Sequence, residues 1–274
     1  MRPNRMASLL LHAALVAGAV IALLPMVWMI SASLMPAGEA SSFPPRLFPR
    51  TVTFEHYRAI FTRLDMGRYL LNSAIVATTV TAVSLLVNSM AGYAFAKLRF
   101  RGRDRLFRLL ATGLVVPVQV AMLPLFLLMK QMGLINTYWG VIIPSLASIF
   151  GIFLIRQHAQ SIPDSLLDAA RIDGASEWRI YRSVVLPTIA PVLATLAIWT
   201  FLTTWNDFMW PLIVLSDERR YTLPVALANL VGEHVQDTEL MMAGSVLTTL
   251  PVLVVFLVLQ RYYIQGVMAG SVKG

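Results

Sequence analysis

Cysteine is absent from this chain, which excludes disulfides, thiolate nucleophiles and cysteine-ligated metals. Charged residues are also scarce: they form 13% of the 274 residues, whereas about 25% is usual in a soluble globular protein. Hydrophobic residues make up 57% of the chain and cluster in long runs. The composition therefore indicates a membrane protein, with no polar region large enough for a separate soluble domain.

The groups that ATPases and metalloenzymes need are few. None of the three lysines lies in a Gly-x-x-x-x-Gly-Lys-Ser/Thr loop, so this chain has no phosphate-binding loop for ATP. The four histidines are far apart and show no metal-ligand spacing; they are His12, His56, His158 and His234. An intramembrane enzyme would need polar catalytic groups that converge at membrane depth, which the spans do not offer. We expect no catalytic residue, metal or cofactor in this chain.

Six apolar segments are long enough to cross a bilayer core, which takes roughly 20 helical residues. They are residues 9–30, 69–96, 106–129, 139–155, 188–214 and 240–259. The first could also be a signal peptide, but its apolar run exceeds the 7–15 residues, approximately, of a signal core, so a retained span is favoured. We therefore predict an all-α membrane protein with six transmembrane helices in one domain over residues 1–274.

The basic residues predict the orientation. The net charge of +8 could indicate nucleic acid, but aromatic and basic residues do not interleave as on a single-strand binding surface. Basic residues that flank apolar spans instead mark the cytoplasmic side and meet anionic lipid headgroups. Residues 97–108 are the most basic stretch. Both termini are therefore predicted to be cytoplasmic, with a long cytoplasmic loop at residues 156–187.

The loops and the prolines lead to further expectations. Residues 54–61 are expected to form a short helix in the proline-rich first outer loop. The last outer loop, residues 216–239, is acidic and could touch an extracytoplasmic partner. Pro117 and Pro124 are expected to kink the third span. A kink there would suit an alternating-access gate, and it is equally compatible with an ordinary bent membrane helix.

The cytoplasmic loop carries the strongest local pattern. Ser161 and Asp164 have capping-box spacing, which predicts a helix from about residue 163 to residue 172. Gly174 can supply a left-handed helix end. A second helix is expected from Ser176, and Pro187 marks the entry to the fifth span. On this pattern alone the loop is two short helices that present small alanines to the cytoplasm, and an interfacial amphipathic helix is the alternative.

The same loop resembles the EAA motif of ABC importer permeases, Glu-Ala-Ala-x-x-Asp-Gly-Ala, eight residues, then Ile-x-Leu-Pro. The chain departs from it by Asp168 in place of glutamate and Val184 in place of isoleucine. The matching positions are Ala169, Ala170, Asp173, Gly174, Ala175, Leu186 and Pro187. The resemblance implies that this loop is the coupling helix that sits in a groove of an ATP-binding subunit.

Other stretches resemble carbohydrate-importer permeases, especially the smaller maltose-type subunit. They are residues 72–73, 91–96, 117–124, 133–138, 205–213, 221–224 and 269–274. The resemblance implies a type I ABC importer permease that imports a sugar or sugar-like solute across the bacterial inner membrane. It also implies a second homologous permease, two ATP-binding subunits that bind ATP and magnesium, and an extracytoplasmic solute-binding protein. The lipid bilayer is the remaining partner, and nucleic acid is not expected.

Five residues are candidates for the substrate pathway. Asp207 is the only carboxylate in the predicted spans, and intramembrane acids often mark a transport path. A continuous helix from Pro187 would place it about 30 Å further along, near the outer interface. The other candidates are Asn88, Trp205, Asn206 and Trp210. For the tryptophans and Asp207 an interfacial or packing role is the alternative, and Asn88 is expected at a helix–helix contact with Ser84, Gly92 and Ala96.

Two other transport functions stay open at this point. A permease of the same superfamily could carry a non-sugar solute, such as glycerol 3-phosphate or a peptide, although the spans contain no evident basic groups for an anion. A secondary transporter should show internal repeats or buried charges within interrupted helices. The sequence shows no convincing repeat, and the EAA-like loop would then have no explanation.

Overall fold

A computed structural model describes residues 5–44, 46–233 and 237–271, and within these ranges every regular element is helical. The all-α prediction is therefore confirmed for the described residues. Their α-helices are α1 (Arg5–Ala32), α2 (Glu55–Arg63), α3 (Met66–Lys97), α4 (Arg103–Thr112), α5 (Val118–Gln131), α6 (Tyr138–Ile142), α7 (Ile149–Gln160), α8 (Asp164–Ile172), α9 (Glu177–Ile180), α10 (Leu186–Thr188), α11 (Ala190–Trp205), α12 (Met209–Val214), α13 (Leu223–Glu233) and α14 (Thr238–Ser271). Residues 272–274 of the tail singled out in the sequence lie outside the described residues.

In the described part of the chain, four stretches are long and apolar enough to cross a membrane: Ser8–Ala32, Met66–Lys97, Tyr138–Gln160 and Thr238–Val258. Two further pairs of helices qualify when each pair counts as one span, which brings the number to six. In one pair α4 and α5 meet at 108°, and in the other α11 follows the preceding helix at 78°. The predicted orientation of the termini stays a prediction.

Proline explains the break in the third span. Val116 is extended, with φ −79° and ψ 119°, because the ring of Pro117 disfavours the helical conformation of the residue before it. Pro124 lies inside α5 without interrupting it. Of the two prolines expected to kink this span, Pro117 therefore produces the break.

The fifth span is not the single continuous helix that the sequence suggested. The chain bends between α10 and α11, and α11 ends at Trp205. Residues 206–208 are non-helical before α12 begins. Pro211 falls in the first turn of α12, where its missing N–H costs no helical hydrogen bond. Asp207 was expected about 30 Å along a continuous helix from Pro187. That expectation was wrong, because no continuous helix joins the two residues.

The described chain divides into two compact units. The first comprises residues 1–67 and 226–251, and the second comprises residues 68–225 and 252–274. In the first unit α2 forms close to the expected position of the short helix in residues 54–61. A division into compact units does not by itself define separate domains, and the prediction of one domain stays a prediction.

Glu239, at the start of α14 in the first unit, is fully buried. Its carboxylate accepts a 2.7 Å hydrogen bond from the backbone N–H of Ala40. The hydroxyls of Ser41 and Thr238 lie 3.0 Å apart beside this contact. Glu239 therefore anchors the segment around residue 40. The acidic last outer loop was expected to touch an extracytoplasmic partner, but Glu239 itself is buried and not available for such a contact.

The second unit has a core that joins the loop of residues 156–187 to three spans. Its buried members are Tyr93, Ile155, Ile162, Leu167, Ile180, Tyr181, Val185, Ile189, Val192 and Leu196. They come from α3, α7, α8, α9 and α11 and from the segments between them. Because one apolar core contains both loop and span residues, displacement of the loop has to move the spans or leave cavities.

Small residues bring α3 and α7 into close contact. An added Cβ on Gly92 would lie 2.6 Å from the Cγ2 of Ile155, and one on Gly151 would lie 2.6 Å from the Nδ2 of Asn88. The side-chain amide of Asn88 donates to Ser84 and accepts from the backbone N–H of Ser148. The expected helix–helix contact along this face of α3 is therefore present.

Candidate coupling surface and pathway residues

Helix α8 begins without the expected capping box. Its N-cap residue is Pro163, which has extended backbone and no side-chain cap. The hydroxyl of Ser161 instead donates a 2.7 Å hydrogen bond to the carbonyl of His158, at the end of α7. The capping-box prediction was therefore wrong, because α7 runs as far as Gln160 and Ser161 closes that helix rather than opening the next one.

Helix α8 ends in a Schellman motif. The N–H of Ala175 donates to the carbonyl of Ala170, and the N–H of Gly174 donates to the carbonyl of Arg171, both at 3.0 Å. Gly174 is left-handed, with φ +78°, as expected. This pairing is the one that satisfies the free carbonyls of a helix end. The Ala-x-x-x-Gly-Ala spacing of the loop thus has a direct structural reason.

The two faces of α8 differ. Leu167 is 1% exposed and belongs to the core, whereas Ile172 is 86% exposed. Ala169 and Asp173 are exposed as well. Ala170 and Ala175 are half-buried and pack against the core, so only part of the expected alanine surface faces outward. The exposed face combines a large apolar side chain with a small one, which lets another surface approach closely.

Arg171 ties α8 to α9. Its guanidinium lies 2.7 Å from the carboxylate of Asp168 and 2.8 Å from that of Glu177. Hydrogen bonds to Glu177 and then to Asp168 raise the pKa of Arg171 above its ordinary value. Asp168, which stands where the motif has glutamate, therefore orients an arginine inside the loop.

Three polar residues of α3 hold this loop. The hydroxyl of Tyr93 donates to Glu177, and the ammonium of Lys97 pairs with Asp164, both at 2.7 Å. One turn earlier, the hydroxyls of Ser89 and Tyr181 lie 2.7 Å apart. We call Ser89, Tyr93 and Lys97 the α3 clamp; their four-residue spacing places them on one face of the helix.

The α3 clamp was not predicted from the sequence. The available signal was the spacing of Ser89, Tyr93 and Lys97 near the end of an otherwise apolar span, where each polar group needs a partner. Lys97 also donates to the carbonyl of Ile162 at 2.6 Å. Its hydrogen bond and charge lower the pKa of Asp164 below its usual value.

The remaining motif residues lead into the fifth span. Tyr181 and Val185 are buried in a π-helical turn, Tyr181–Val185, that follows α9. Leu186 packs against the core, and Pro187 is exposed. Tyr181 and Val185 therefore form an apolar face that packs into the core. Trp178 lies outside that face and is 57% exposed.

The five pathway candidates differ in exposure and in their contacts. Asn88 is buried among helices, and Trp205 is buried with its ring stacked 5.6 Å from that of Phe201. Trp210 is buried, and its indole N–H donates to the carbonyl of Gly140.

Asn206 is exposed, and its side-chain amide donates to the carbonyl of Leu202. Asp207 accepts a hydrogen bond from the backbone N–H of Trp210 at 3.4 Å. A pathway role for these residues stays a prediction.

Comparison with known proteins places this geometry in a family. Residues 88–268 match the family of binding-protein-dependent transport system inner membrane components. The structure is similar to that of a bacterial ABC transporter involved in the import of the acidic polysaccharide alginate. The TM-score is 0.84 at 26% identity, over 96% of this chain and 98% of the other.

Curated relatives agree with that match. The chain is 39% identical to an arabinooligosaccharide transport system permease protein of Halalkalibacterium halodurans, over 93% of both chains. It is 33% identical to a lactose transport system permease protein of Rhizobium radiobacter, over 98% of both. The chain belongs to the family of binding-protein-dependent transport system inner membrane components, the membrane-spanning permeases of ABC importers.

Proposed function

We propose that this chain is the permease subunit of an ATP-driven importer of a sugar or sugar-like solute, and that α8 with its Schellman end couples it to an ATP-binding subunit. One observation carries the coupling role. The exposed face of α8 ends in Ile172, while the opposite face shares a core with three spans. A partner that binds Ile172 and moves α8 would therefore move the spans.

The partners follow from the family and from the chemistry of the chain. A solute-binding protein outside the membrane would deliver substrate, and two ATP-binding subunits would bind ATP and magnesium. A second homologous permease would complete the translocation path. Among the described residues no cluster of His, Cys, Asp or Glu could hold a metal ion. We infer that the energy of ATP enters this chain mechanically, through the loop of residues 156–187.

Sugar is the proposed cargo because named relatives carry sugars. Besides the arabinooligosaccharide and lactose permeases, a diacetylchitobiose permease of Streptomyces coelicolor is 34% identical over 96% of this chain and 88% of its own length. A permease for osmoprotective compounds of Synechocystis is also 34% identical. A non-sugar solute therefore remains the alternative cargo within the same mechanism.

The test is co-purification from native membranes, with Ile172→Glu as the variant and Gln157→Glu as the control. Gln157 is exposed on α7, so the control adds the same charge to the same cytoplasmic region outside α8. We expect Ile172→Glu to enter the membrane but to lose the ATP-binding subunit and uptake, while the control keeps both. An Ile172→Glu complex with intact composition and uptake would overturn the coupling proposal.

A further inference from the structure

The second unit contains a cavity of about 480 Å³ where three spans are interrupted. Its lining includes Gly113 and Leu114 from the break between α4 and α5, and Ser145 from the Ile143–Ser145 turn. Asp207 lines it from the non-helical segment after α11. Irregular backbone at membrane depth is tolerated where it is buried in protein or lines a water-filled space. The convergence of three breaks on one cavity therefore indicates a solvated site.

Aromatic rings form the apolar part of this cavity. Phe150 and Trp199 both line it, and their ring centroids lie 6.0 Å apart at an angle of 50°. They remain 42% and 57% exposed. Two adjacent aromatic rings that are partly exposed offer an apolar surface to a ligand.

The polar part consists of hydroxyls and one carboxylate. Thr203 donates to the carbonyl of Trp199 at 2.9 Å, so its oxygen can still accept a hydrogen bond. The other lining hydroxyls are those of Ser84, Ser145, Ser148, Thr200 and Thr204. Asp207 accepts a hydrogen bond from the backbone N–H of Trp210. A carboxylate has about four acceptor positions, which leaves capacity for ligand hydroxyls.

The charge of the lining selects the ligand class. The described residues around the cavity include no Lys, Arg or His, and Asp207 is the one ionisable group. No ion pair with Asp207 occurs among the described residues. An acidic saccharide or a phosphate ester would meet a carboxylate without a compensating cation, and two like charges close together repel each other. A neutral polyhydroxylated ligand would instead supply O–H donors, and hydrogen bonds to a charged acceptor are the stronger kind.

We propose that this cavity is a subsite for a neutral sugar, with Asp207 and Thr203 as hydrogen-bond acceptors and with Trp199 beside Phe150 as the apolar surface. The proposal rests on the proposed function and deepens it, because it assigns substrate contacts to this permease itself. The volume lies in the range of about 300–1,000 Å³ that is usual for small-molecule pockets. The proposed preference for a neutral sugar would distinguish this chain from permeases that transport acidic solutes.

The test is uptake into vesicles that contain the whole importer with its binding protein. The probe is whichever of lactose, trehalose and arabinotriose wild type transports. We expect Asp207→Asn and Trp199→Leu each to raise KM roughly tenfold, as the loss of one charge-assisted hydrogen bond or ring contact would. Trp199→Phe should retain most of the affinity, because it keeps an aromatic face.

Matched controls separate the site from general damage. Trp139 is as exposed as Trp199, at 57%, but does not line the cavity, so Trp139→Leu should leave KM unchanged. Thr78 donates to the carbonyl four residues earlier, as Thr203 does. Thr78→Val should therefore leave KM unchanged, while Thr203→Val raises it. ATPase activity stimulated by the binding protein should stay near wild type in the two control variants, Trp139→Leu and Thr78→Val.

A second arm tests the selectivity. Digalacturonate should not compete with uptake by wild type and should become a weak competitor in Asp207→Asn. If wild type takes up sugar but all cavity variants keep its KM, the subsite is overturned and the proposed function stands. If digalacturonate competes with uptake by wild type as well as a neutral sugar does, the neutral-sugar selectivity is overturned. If wild type shows no ATP-dependent uptake of any sugar, the proposed function itself fails.

Discussion

The hydroxyl of Tyr93 donates a 2.7 Å hydrogen bond to the carboxylate of Glu177, which lies 84 residues further along the chain. Glu177 also pairs with Arg171, whose guanidinium contacts Asp168 on α8. A continuous network of polar side chains thus connects a span to the exposed loop. It complements the shared apolar core and gives the loop a fixed position relative to α3.

Tyr93→Phe removes one hydrogen bond of the α3 clamp and keeps the ring. We expect it to lower the free energy of unfolding by about 1 kcal/mol and to reduce the sugar transported per ATP hydrolysed. The measurement is uptake and ATPase activity in the same vesicles. Tyr57→Phe is the control, since its hydroxyl bonds that of Ser33 at 2.8 Å, away from the loop. If both variants transport the same amount of sugar per ATP hydrolysed, a role for the α3 clamp is contradicted.

Gly174→Ala tests the helix end. Gly174 and Gly38 have φ values of +78° and +82°, and neither has an atom within 4 Å of an added Cβ. Alanine should therefore cost about 1–2 kcal/mol at either position through backbone strain alone. Only Gly174→Ala should weaken binding of the ATP-binding subunit, measured by co-purification. Comparable loss of that subunit in Gly38→Ala would show that general instability is responsible.

The Lys97–Asp164 pair predicts a pH dependence. Because the pKa of Asp164 is lowered by Lys97, its contribution to stability is present above the ordinary carboxyl pKa. The contribution is lost as the pH falls below about 4 and through the lowered value. The difference in thermal unfolding temperature between wild type and Asp164→Asn should be constant from about pH 5 to 7 and shrink below about pH 4. A difference that persists undiminished under acid would contradict the pairing.

Gly92→Ala tests the contact between α3 and α7. The new Cβ would lie 2.6 Å from the Cγ2 of Ile155 and 3.1 Å from the backbone N of Arg156. Overpacking of this kind should cost about 1–3 kcal/mol, visible as a lower thermal unfolding temperature. Gly18→Ala is the control, because no atom lies within 4 Å of its added Cβ. It should be neutral or stabilising through helix propensity by up to about 1 kcal/mol.

Local sequence features predicted the helical membrane segments of this chain, the left-handed end of α8 and the family. Long apolar runs are enough to identify helical segments for a bilayer, because backbone polar groups there must bond within the segment. The left-handed end of α8 follows from Gly174, since a residue without Cβ adopts that conformation at little cost. The family followed from the same loop. These features depend on residues that are close in sequence.

Capping and helix continuity were harder to predict. Ser161 had the spacing of an N-cap, but the C-terminal extent of α7 decided its role. The break after Trp205 left Asp207 outside a helix. Such boundaries depend on packing against neighbouring helices as well as on local preference.

Only the tertiary structure decided which distant groups meet. The sequence by itself determined that the chain is a helical membrane protein with an EAA-like loop, because composition and short spacings encode those features. It could not pair Tyr93 with Glu177 or gather Trp199, Thr203 and Asp207 around one cavity. Those contacts depend on which faces of separate helices pack together, and the buried polar groups of each helix then select partners that the neighbouring helices provide.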